Sequence, residues 1–516
     1  MTAATIVAGG QVIAATVSPS TLPQLATIDE RFQSYNVEMA EVIGGNFWIP
    51  YAKRRPTAMA KRSTTFEIGT DPTVFEKRAP VDLASARLRK LAAALGPAYV
   101  RVSGTWANSV FFQDTDANEA EPTPPGYKGV LTRPQWAGVV AFARAVDAKL
   151  VTSFAISSGV RDADGTWTPA QAKPLVTYTK SIGGAIVAAE LFNEPSIAAS
   201  GGAPDGYNAT AYARDEVAFR AFVQTFTPDM LTVGPGSVGE GGIAVLPPTM
   251  PMLRSADLLD ADPKPKFDVF SYHYYGAVSE RCEAMGKDLG TTSAVALSEK
   301  WLSQTDRVLD FYKPLQTKYA SGAPIWITET AGAACGGNPW ASTFLDTFRY
   351  VDQMGRLAKQ GVKVIFHNTL ASSEYGLLDQ SDFHPRPNFW AALLWRRLMG
   401  TIVLDAGSPR EGLHLYAQCL REHPGGVALL AINNSRTHHA EIALPTSSVR
   451  YTLAAPTLQS ASVMMNGKPL KLDPNDDLPE IRGSAAAAGP MRFDPATITF
   501  VAIPEAANAA CAAGKG

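Results

Sequence analysis

The sequence predicts an α/β domain followed by an all-β domain, and two changes of texture along its 516 residues carry that reading. Between residues 27 and 400, short β-rich apolar runs alternate with segments of helical spacing, the pattern of a parallel sheet or barrel. After Gly400 short strands with polar turns take over, the pattern of a β-sandwich. The length exceeds one ordinary domain, since a barrel alone takes about 250 residues.

Taken in order, residues 1–26 look like β-strands, with strand, turn and strand over 5–17 interrupted by Gly9-Gly10-Gln11. Residues 81–95 have helical spacing, and Pro97 starts the next strand. Residues 134–148 predict a second helix, followed by a strand over 151–156. A long amphipathic helix is expected over 345–360, stopped by Gly361, with a strand over 362–366 after it. In the second domain the expected strands are 401–404, 427–432, 441–444 and 497–503. Residues 484–490 read as a loop, and Gly514-Lys515-Gly516 as a frayed end. There is no internal repeat and no long low-complexity tract.

Composition narrows the function classes. A net charge of −2 makes no electrostatic case for nucleic acid or an anionic membrane surface. Lys53-Arg54-Arg55, with Lys61-Arg62 after it, reads as a solvated loop rather than a polyanion site. No apolar run reaches about 18 residues, so no membrane span is expected. The apolar N-terminus lacks a basic start and does not read as an intact signal peptide; a trimmed form of an exported protein fits. No phosphate-binding loop or EF-hand spacing occurs, and the four cysteines match no zinc motif, so neither cofactor nor metal is expected. Catalysis by Cys335 has little support, because no histidine is identifiably poised beside it.

The chemistry-bearing residues sit at two strand ends. The apolar strand Ala185-Ile186-Val187-Ala188-Ala189 runs into Glu190-Leu191-Phe192-Asn193-Glu194-Pro195. The run Pro324-Ile325-Trp326-Ile327-Thr328 ends in Glu329-Thr330, followed by a glycine-rich loop from Ala331 to Gly337. Barrel enzymes carry their chemistry at such C-terminal strand ends. Either glutamate alone could cap a turn or hold a salt bridge. Together, 135 residues apart, they leave room for about three βα units of roughly 30 residues each. A pair of carboxyls is what a glycosidase needs, and a retaining one holds them about 5–5.5 Å apart as proton donor and nucleophile.

These segments resemble glycoside hydrolase family 79, the heparanase and β-glucuronidase family. Phe32-Gln33-Ser34-Tyr35-Asn36-Val37-Glu38 looks like its first barrel strand, and the segment from Leu95 to Thr105 like its second. Ser271-Tyr272-His273-Tyr274-Tyr275 is similar to its histidine- and tyrosine-bearing strand. His367-Asn368 through Asp379 resembles the segment that closes the site, and Leu413 through Cys419 with Ala509-Ala510-Cys511 its C-terminal β-domain. The resemblance implies a (β/α)8 TIM barrel over residues 27–400 and a β-sandwich over 401–516, completed by strands from residues 1–26. It implies Glu194 as acid/base and Glu329 as nucleophile, with Asn193 on the sugar 2-hydroxyl and Tyr275 beside the nucleophile. His273 is expected to orient the same region or simply to be a satisfied core histidine. A glucuronide's carboxylate would meet backbone N–H groups of Cys335, Gly336 and Gly337 with Tyr375 beside them; Glu38 and Asn368 would bind sugar hydroxyls.

Four cysteines allow three pairings. The resemblance implies a Cys419–Cys511 disulfide, and with it Cys282–Cys335 in loops near the site. Two disulfides imply a secreted or periplasmic enzyme; four free thiols in a cytosolic enzyme is the alternative. The chain departs from heparanase at Ala334 and Cys335, where a tyrosine and a glycine stand. Its Gly234-Pro235-Gly236-Ser237-Val238-Gly239-Glu240 segment is neutral to acidic, and no excised linker follows Gln113-Asp114. The expectation is therefore a retaining exo-β-glucuronidase acting on a glucuronic-acid-containing carbohydrate. An endo-acting heparanase, an exo-glycosidase for a neutral sugar and a catalytically dead sugar-binding protein are the alternatives. Oligomeric state is not encoded in any motif.

Overall fold

A computed structural model describes residues 15–53, 73–241, 251–285 and 289–512. Most of the strand–turn–strand expected over 5–17, the basic residues beyond Lys53, and Gly514 to Gly516 lie outside the described residues.

Eight parallel strands close into a barrel: β1 (Gln33–Glu38), β2 (Ala98–Ser103), β3 (Ala148–Ser153), β4 (Ile186–Glu190), β5 (Leu231–Ser237), β6 (Val269–Val278), β7 (Ile325–Ala334) and β8 (Val364–His367). Their order around the ring is their order in the chain, and β8 closes on β1 through Ile365 opposite Gln33. Both faces of such a sheet are covered, so the strands are buried along their length: every residue of β2 and β6 is buried. Glu194 follows the fourth strand and Glu329 lies in the seventh, three βα units on.

Local chemistry sets the helix ends. Thr132 and Gln135 form a reciprocal capping box that starts the helix Arg133–Ala145, ahead of the expected 134–148. The helix expected over 81–95 spans only Ala86–Ala93. Asp82 turns the preceding segment by accepting from the N–H of Ala84 at 2.9 Å, and Ser85 caps the helix through the N–H of Leu88. The third strand runs over Ala148–Ser153 rather than 151–156, because the N–H groups of Phe154 and Ile156 turn to the carbonyls of Leu191 and Asn108.

The seventh strand corrects the expected loop from Ala331. Strand pairing continues through Ala333 opposite Ala277 and Ala334 opposite Val278, so the turn begins at Cys335. Gly332 serves packing: a Cβ there would lie 2.9 Å from Asp346 Oδ1, on the helix Phe344–Lys359.

After the barrel come a nine-stranded and a three-stranded sheet. Their facing side chains, among them Leu404, Leu429 and Val501 from one and Ile442, Met491 and Phe493 from the other, form one buried cluster. Strands before the barrel enter both sheets: Ala15–Thr16 pairs with Ala440–Leu444, and Gln24–Thr27 with Met399–Leu404. The expected loop over 484–490 is largely strand. Ser484–Ala486 pairs with Ser448–Ala454, and Gly489–Phe493 with Ala440–Leu444, so ladder partners override the weak β-propensity of alanine and glycine. Cys419 and Cys511 are disulfide-bonded.

The helix Phe344–Lys359 joins barrel to sandwich. Gly355 lets the Tyr416 ring lie against its backbone; a Cβ at that position would come 2.4 Å from the ring. Around this contact is a buried charge network. His414 places Nδ1 2.5 Å from Asp352 and Nε2 2.6 Å from Glu299, and Arg356 donates to Asp352 and Asp306 at 2.6 Å each. Burial pulls the His414 pKa down, but Asp352 and Glu299 outweigh it and raise it to about 9. No helix among the described residues is long and apolar enough to cross a membrane.

Two outcomes follow at this interface. Gly355→Ala overpacks it and costs roughly 1–3 kcal/mol in thermal or chemical denaturation. His414 has a raised folded-state pKa, so its contribution is full below about pH 6.5 and lost as pH rises through about 9. His414→Gln is therefore expected to lose about 3 kcal/mol at pH 6 and much less at pH 10, read from denaturant unfolding at both.

Candidate active site

Glu194 stands just past β4 in a left-handed conformation, φ 54° and ψ 63°, before Pro195. That backbone geometry costs a non-glycine residue roughly 1–2 kcal/mol, so it needs support. Asn108 supplies it from the loop after β2: its Oδ1 accepts from the Asn193 N–H at 2.8 Å, and its Nδ2 donates to the Asn193 carbonyl and the Gly201 carbonyl at 2.9 Å each.

Behind Glu194 is a cluster of charges inside the barrel. Arg101, from the middle of β2, donates through Nη2 to Glu190 Oε2 and to Asn193 Oδ1 at 2.7 Å, and through Nη1 to Glu329 Oε2 at 3.0 Å. One guanidinium thus ties the strand of the first glutamate to that of the second. His273, from β6, places Nδ1 3.0 Å from Glu194 Oε1 and 3.8 Å from Glu329 Oε2, with Nε2 3.9 Å from Glu190. An oxygen of Glu194, an oxygen of Glu329 and a ring nitrogen of His273 all lie within 4.8 Å of one another.

The environment pushes these groups apart electrically. Burial, the largest influence, raises the Glu194 pKa, and the Glu329 charge adds to it; the His273 hydrogen bond works the other way. Burial would raise Glu190 too, but Arg101 and then His273 overcome it and hold the carboxyl at about 2. His273 itself is raised to about 9: burial and Arg101 pull it down, while Glu329, Glu190 and Glu194 pull it further up.

Glu329 accepts a hydrogen bond on each oxygen, from Arg101 at 3.0 Å and from the Tyr275 hydroxyl at 2.5 Å. Asn368 lies behind them. Its Nδ2 is within hydrogen-bond distance of the Tyr275 hydroxyl (2.9 Å), Glu38 Oε1 (3.0 Å) and the Tyr375 hydroxyl (3.2 Å). Glu38, Tyr275 and Tyr375 line the cavity above, whereas Asn368 is a buried support. Burial first, and Glu329 next, raise Glu38 to about 7.

The cavity holds about 150 Å³. Glu38, Glu194, Glu329, Tyr275 and Tyr375 are among its polar lining residues; Trp48, Phe75 and Trp106 are among its apolar walls. Trp48 and Phe75 belong to paired strands after β1, with ring centroids 4.2 Å apart. No lysine or arginine is among the described residues that line it.

Cys335, Gly336 and Gly337 form the turn after β7 with φ of 61°, 77° and 83°, three left-handed residues in succession. Cys335 lines the cavity and is disulfide-bonded to Cys282, which holds a non-glycine residue in this conformation. A Cβ on Gly336 would meet Trp48 at 2.8 Å, and one on Gly337 would meet Tyr375 at 3.2 Å. Only glycine lets backbone and aromatic wall approach so closely. None of the three N–H groups donates a hydrogen bond among the described residues.

Sequence reasoning passed over Arg101, Glu190 and Asn108 as site residues. The signal for the first two was present: Arg101 is a charge inside an otherwise apolar strand and Glu190 is the charged end of another, where an unpaired buried charge is not tolerated. Asn108 carries no such signal. Glu194, His273 and Glu329 are the one group among the described residues spaced to hold a metal ion. Arg101 and a protonated His273 already place positive charge there, which opposes a further cation.

The sequence signature described as "Glycosyl hydrolase family 79, N-terminal domain" matches residues 78–355. The chain is 25% identical to heparanase-like protein 1 of Arabidopsis thaliana, across 84% of this chain and 86% of that one. It is 26% identical to the heparanase of Bos taurus, across 86% and 88%. The fold resembles that of a 4-O-α-L-rhamnosyl-β-D-glucuronidase from Fusarium oxysporum with a TM-score of 0.59, covering 95% of this chain and 99% of that one at 14% identity. With the family signature spanning more than half of the sequence, and two buried carboxylates facing each other at the mouth of its barrel, the protein is a glycoside hydrolase of family 79.

Proposed function

We propose that this hydrolase is a retaining β-glucuronidase that releases terminal β-linked glucuronic acid. The observation that carries the reading is the closeness of Glu194 and Glu329, with facing oxygens within 4.8 Å. Retaining enzymes hold their carboxyls about 5–5.5 Å apart, whereas inverting ones need about 6.5–9.5 Å to admit a water.

The electrostatics support the division of labour: burial first, and Glu329 beside it, raise the Glu194 pKa and favour its protonated form, while Arg101 and Tyr275 hold the oxygens of Glu329. Glu194 gives that proton to the departing glycosidic oxygen while Glu329 attacks the anomeric carbon. Water then cleaves the glycosyl-enzyme, with Glu194 accepting the water's proton. Tyr275 and Arg101 hold the two oxygens of Glu329 in line for attack. Asn193 commits Oδ1 to Arg101, and its buried Nδ2 has no partner among the described residues, which leaves a donor for the sugar 2-hydroxyl.

The turn at Cys335, Gly336 and Gly337 supports an acidic sugar. A turn whose successive backbone N–H groups have no partner among the described residues offers a nest that suits a carboxylate. Exo action is supported by the Trp48–Phe75 wall, which lines the cavity and abuts Gly336 beside that turn. An apolar wall and a lining without lysine or arginine among the described residues favour this over a long sulfated chain. Two disulfides point to an oxidising compartment, a secreted or periplasmic setting.

Three outcomes test the reading. An aryl β-glucuronide is expected to turn over with retention of configuration, while heparan sulfate is not shortened; polymer shortening without aryl-glucuronide turnover overturns exo action. Glu329→Gln is expected to lower kcat by on the order of 10⁴-fold or more, and retained activity excludes it as nucleophile. His273 lowers the Glu194 pKa through its hydrogen bond and its charge. His273→Gln is therefore expected to move the alkaline limb of kcat/KM to higher pH, and a shift downward contradicts the assignment of Glu194 as acid.

A further inference from the structure

Arg281, in the turn after β6, makes more hydrogen bonds to loop backbone than its place outside the charge cluster requires. Its side chain is fully buried. It donates through Nε and Nη2 to the Ile49 carbonyl at 3.0 and 2.8 Å, and through Nη1 to the carbonyls of Cys335 and Gly337 at 3.2 and 2.9 Å. Nη2 also pairs with Glu374, whose other oxygen accepts from the Tyr51 N–H at 2.9 Å. The guanidinium lies over the Tyr51 ring, 4.0 Å from its centroid. One side chain therefore joins the loops that follow β1, β6, β7 and β8.

Every carbonyl of the left-handed turn is spoken for. Cys335 O accepts from Arg281 and from Ser279 Oγ at 2.9 Å; Gly336 O accepts from the Glu374 N–H at 3.0 Å; Gly337 O accepts from Arg281 and from the Tyr51 hydroxyl at 3.2 Å. The three N–H groups donate to nothing among the described residues. In a planar trans peptide the carbonyl of one residue and the N–H of the next point in opposite directions, so the Cys335 and Gly336 carbonyls set the N–H groups of Gly336 and Gly337, and the Ala334 carbonyl, which accepts from the Ser279 N–H at 3.1 Å, sets that of Cys335.

We propose that Arg281 is the positioning residue of uronate recognition: its grip on the Cys335 carbonyl orients the Gly336 N–H, its pairing with Glu374, whose own N–H holds the Gly336 carbonyl, steadies the Gly337 N–H, and its grip on the Gly337 carbonyl fixes the end of the turn that receives the sugar carboxylate. The proposal rests on the reading of this turn as the carboxylate site. Arginine is needed for its geometry, because a planar fork of five donors reaches three carbonyls and a carboxylate at once. Lysine supplies the charge at one point only.

The test compares 4-nitrophenyl β-D-glucuronide with 4-nitrophenyl β-D-glucoside, which lacks the carboxylate, for the wild type, Arg281→Met and Arg281→Lys. The expected result is a rise in KM for the glucuronide greater than any fall in kcat. The glucuronide-to-glucoside ratio of kcat/KM should drop roughly 10- to 100-fold in Arg281→Met, the scale of one charge-assisted hydrogen bond. Arg281→Lys should drop less, and it serves alone if Arg281→Met does not fold. A general loss of folded enzyme lowers both substrates together and leaves the ratio in place. An unchanged ratio in folded Arg281→Lys and Arg281→Met overturns the role of Arg281 while leaving glucuronidase activity standing. A wild type without preference for the glucuronide overturns the carboxylate reading and this proposal with it.

Discussion

Arg101 carries a positive charge in the middle of the barrel with 1% of its surface exposed, a placement that would be ruinous for an isolated ion. Burial works against its charge, yet Glu190 and Glu329 together more than compensate, and its pKa is raised. Its hydrogen bonds reach Glu190 and Asn193 on one side and Glu329 on the other, so one guanidinium fork ties the strand end that leads to Glu194 to the strand that carries Glu329. Glu190 is the silent member of this arrangement. It never faces the cavity, but its negative charge balances Arg101 and frees Glu329 from having to do so alone.

The helix Phe344–Lys359 connects the second domain to this centre. Residues 346, 349 and 353 of Phe344–Lys359 form a row facing the barrel, where Arg349 donates to Asp346 and Gln353 donates to Thr330, the neighbour of Glu329. Asp352 and Gly355 lie further round the helix and meet His414 and Tyr416 of the sandwich. The helix is buried almost end to end because it has a protein surface on both sides. The sandwich thereby braces the strand that carries Glu329, and none of its described residues lines the cavity.

The mouth of the site is built differently from its floor. The floor is strand residues with paired charges; the mouth is turns whose backbone must be held from outside. Disulfide and guanidinium both converge on the 335–337 turn, one through Cys335 and one through two carbonyls. A cysteine in a left-handed conformation is tolerable there because a covalent bond restrains it. The aromatic wall of Trp48 then packs where glycine has no side chain.

Much of this was legible in the sequence. Alternating strand and helix patterns, the change of texture after Gly400, and two carboxylates at strand ends pointed to an α/β barrel glycosidase, since periodicity and strand-end chemistry are local properties. The motifs around Glu194 and Glu329 located the pair, and Ser271 to Tyr275 located the strand whose histidine and tyrosine touch them. Boundaries failed where a partner decided them: β7 continues past Ala331 because β6 continues beside it, and residues 484–490 become strand because neighbouring strands offer a ladder. The roles of Arg101, Glu190, Asn108 and Arg281 were also beyond the sequence. Each acts by bridging segments far apart in the chain, and no local pattern records a distance that exists only once the barrel has closed. The sequence by itself determined which residues could do the chemistry; the tertiary structure decided which charges meet, and so which carboxyl is pushed towards holding a proton.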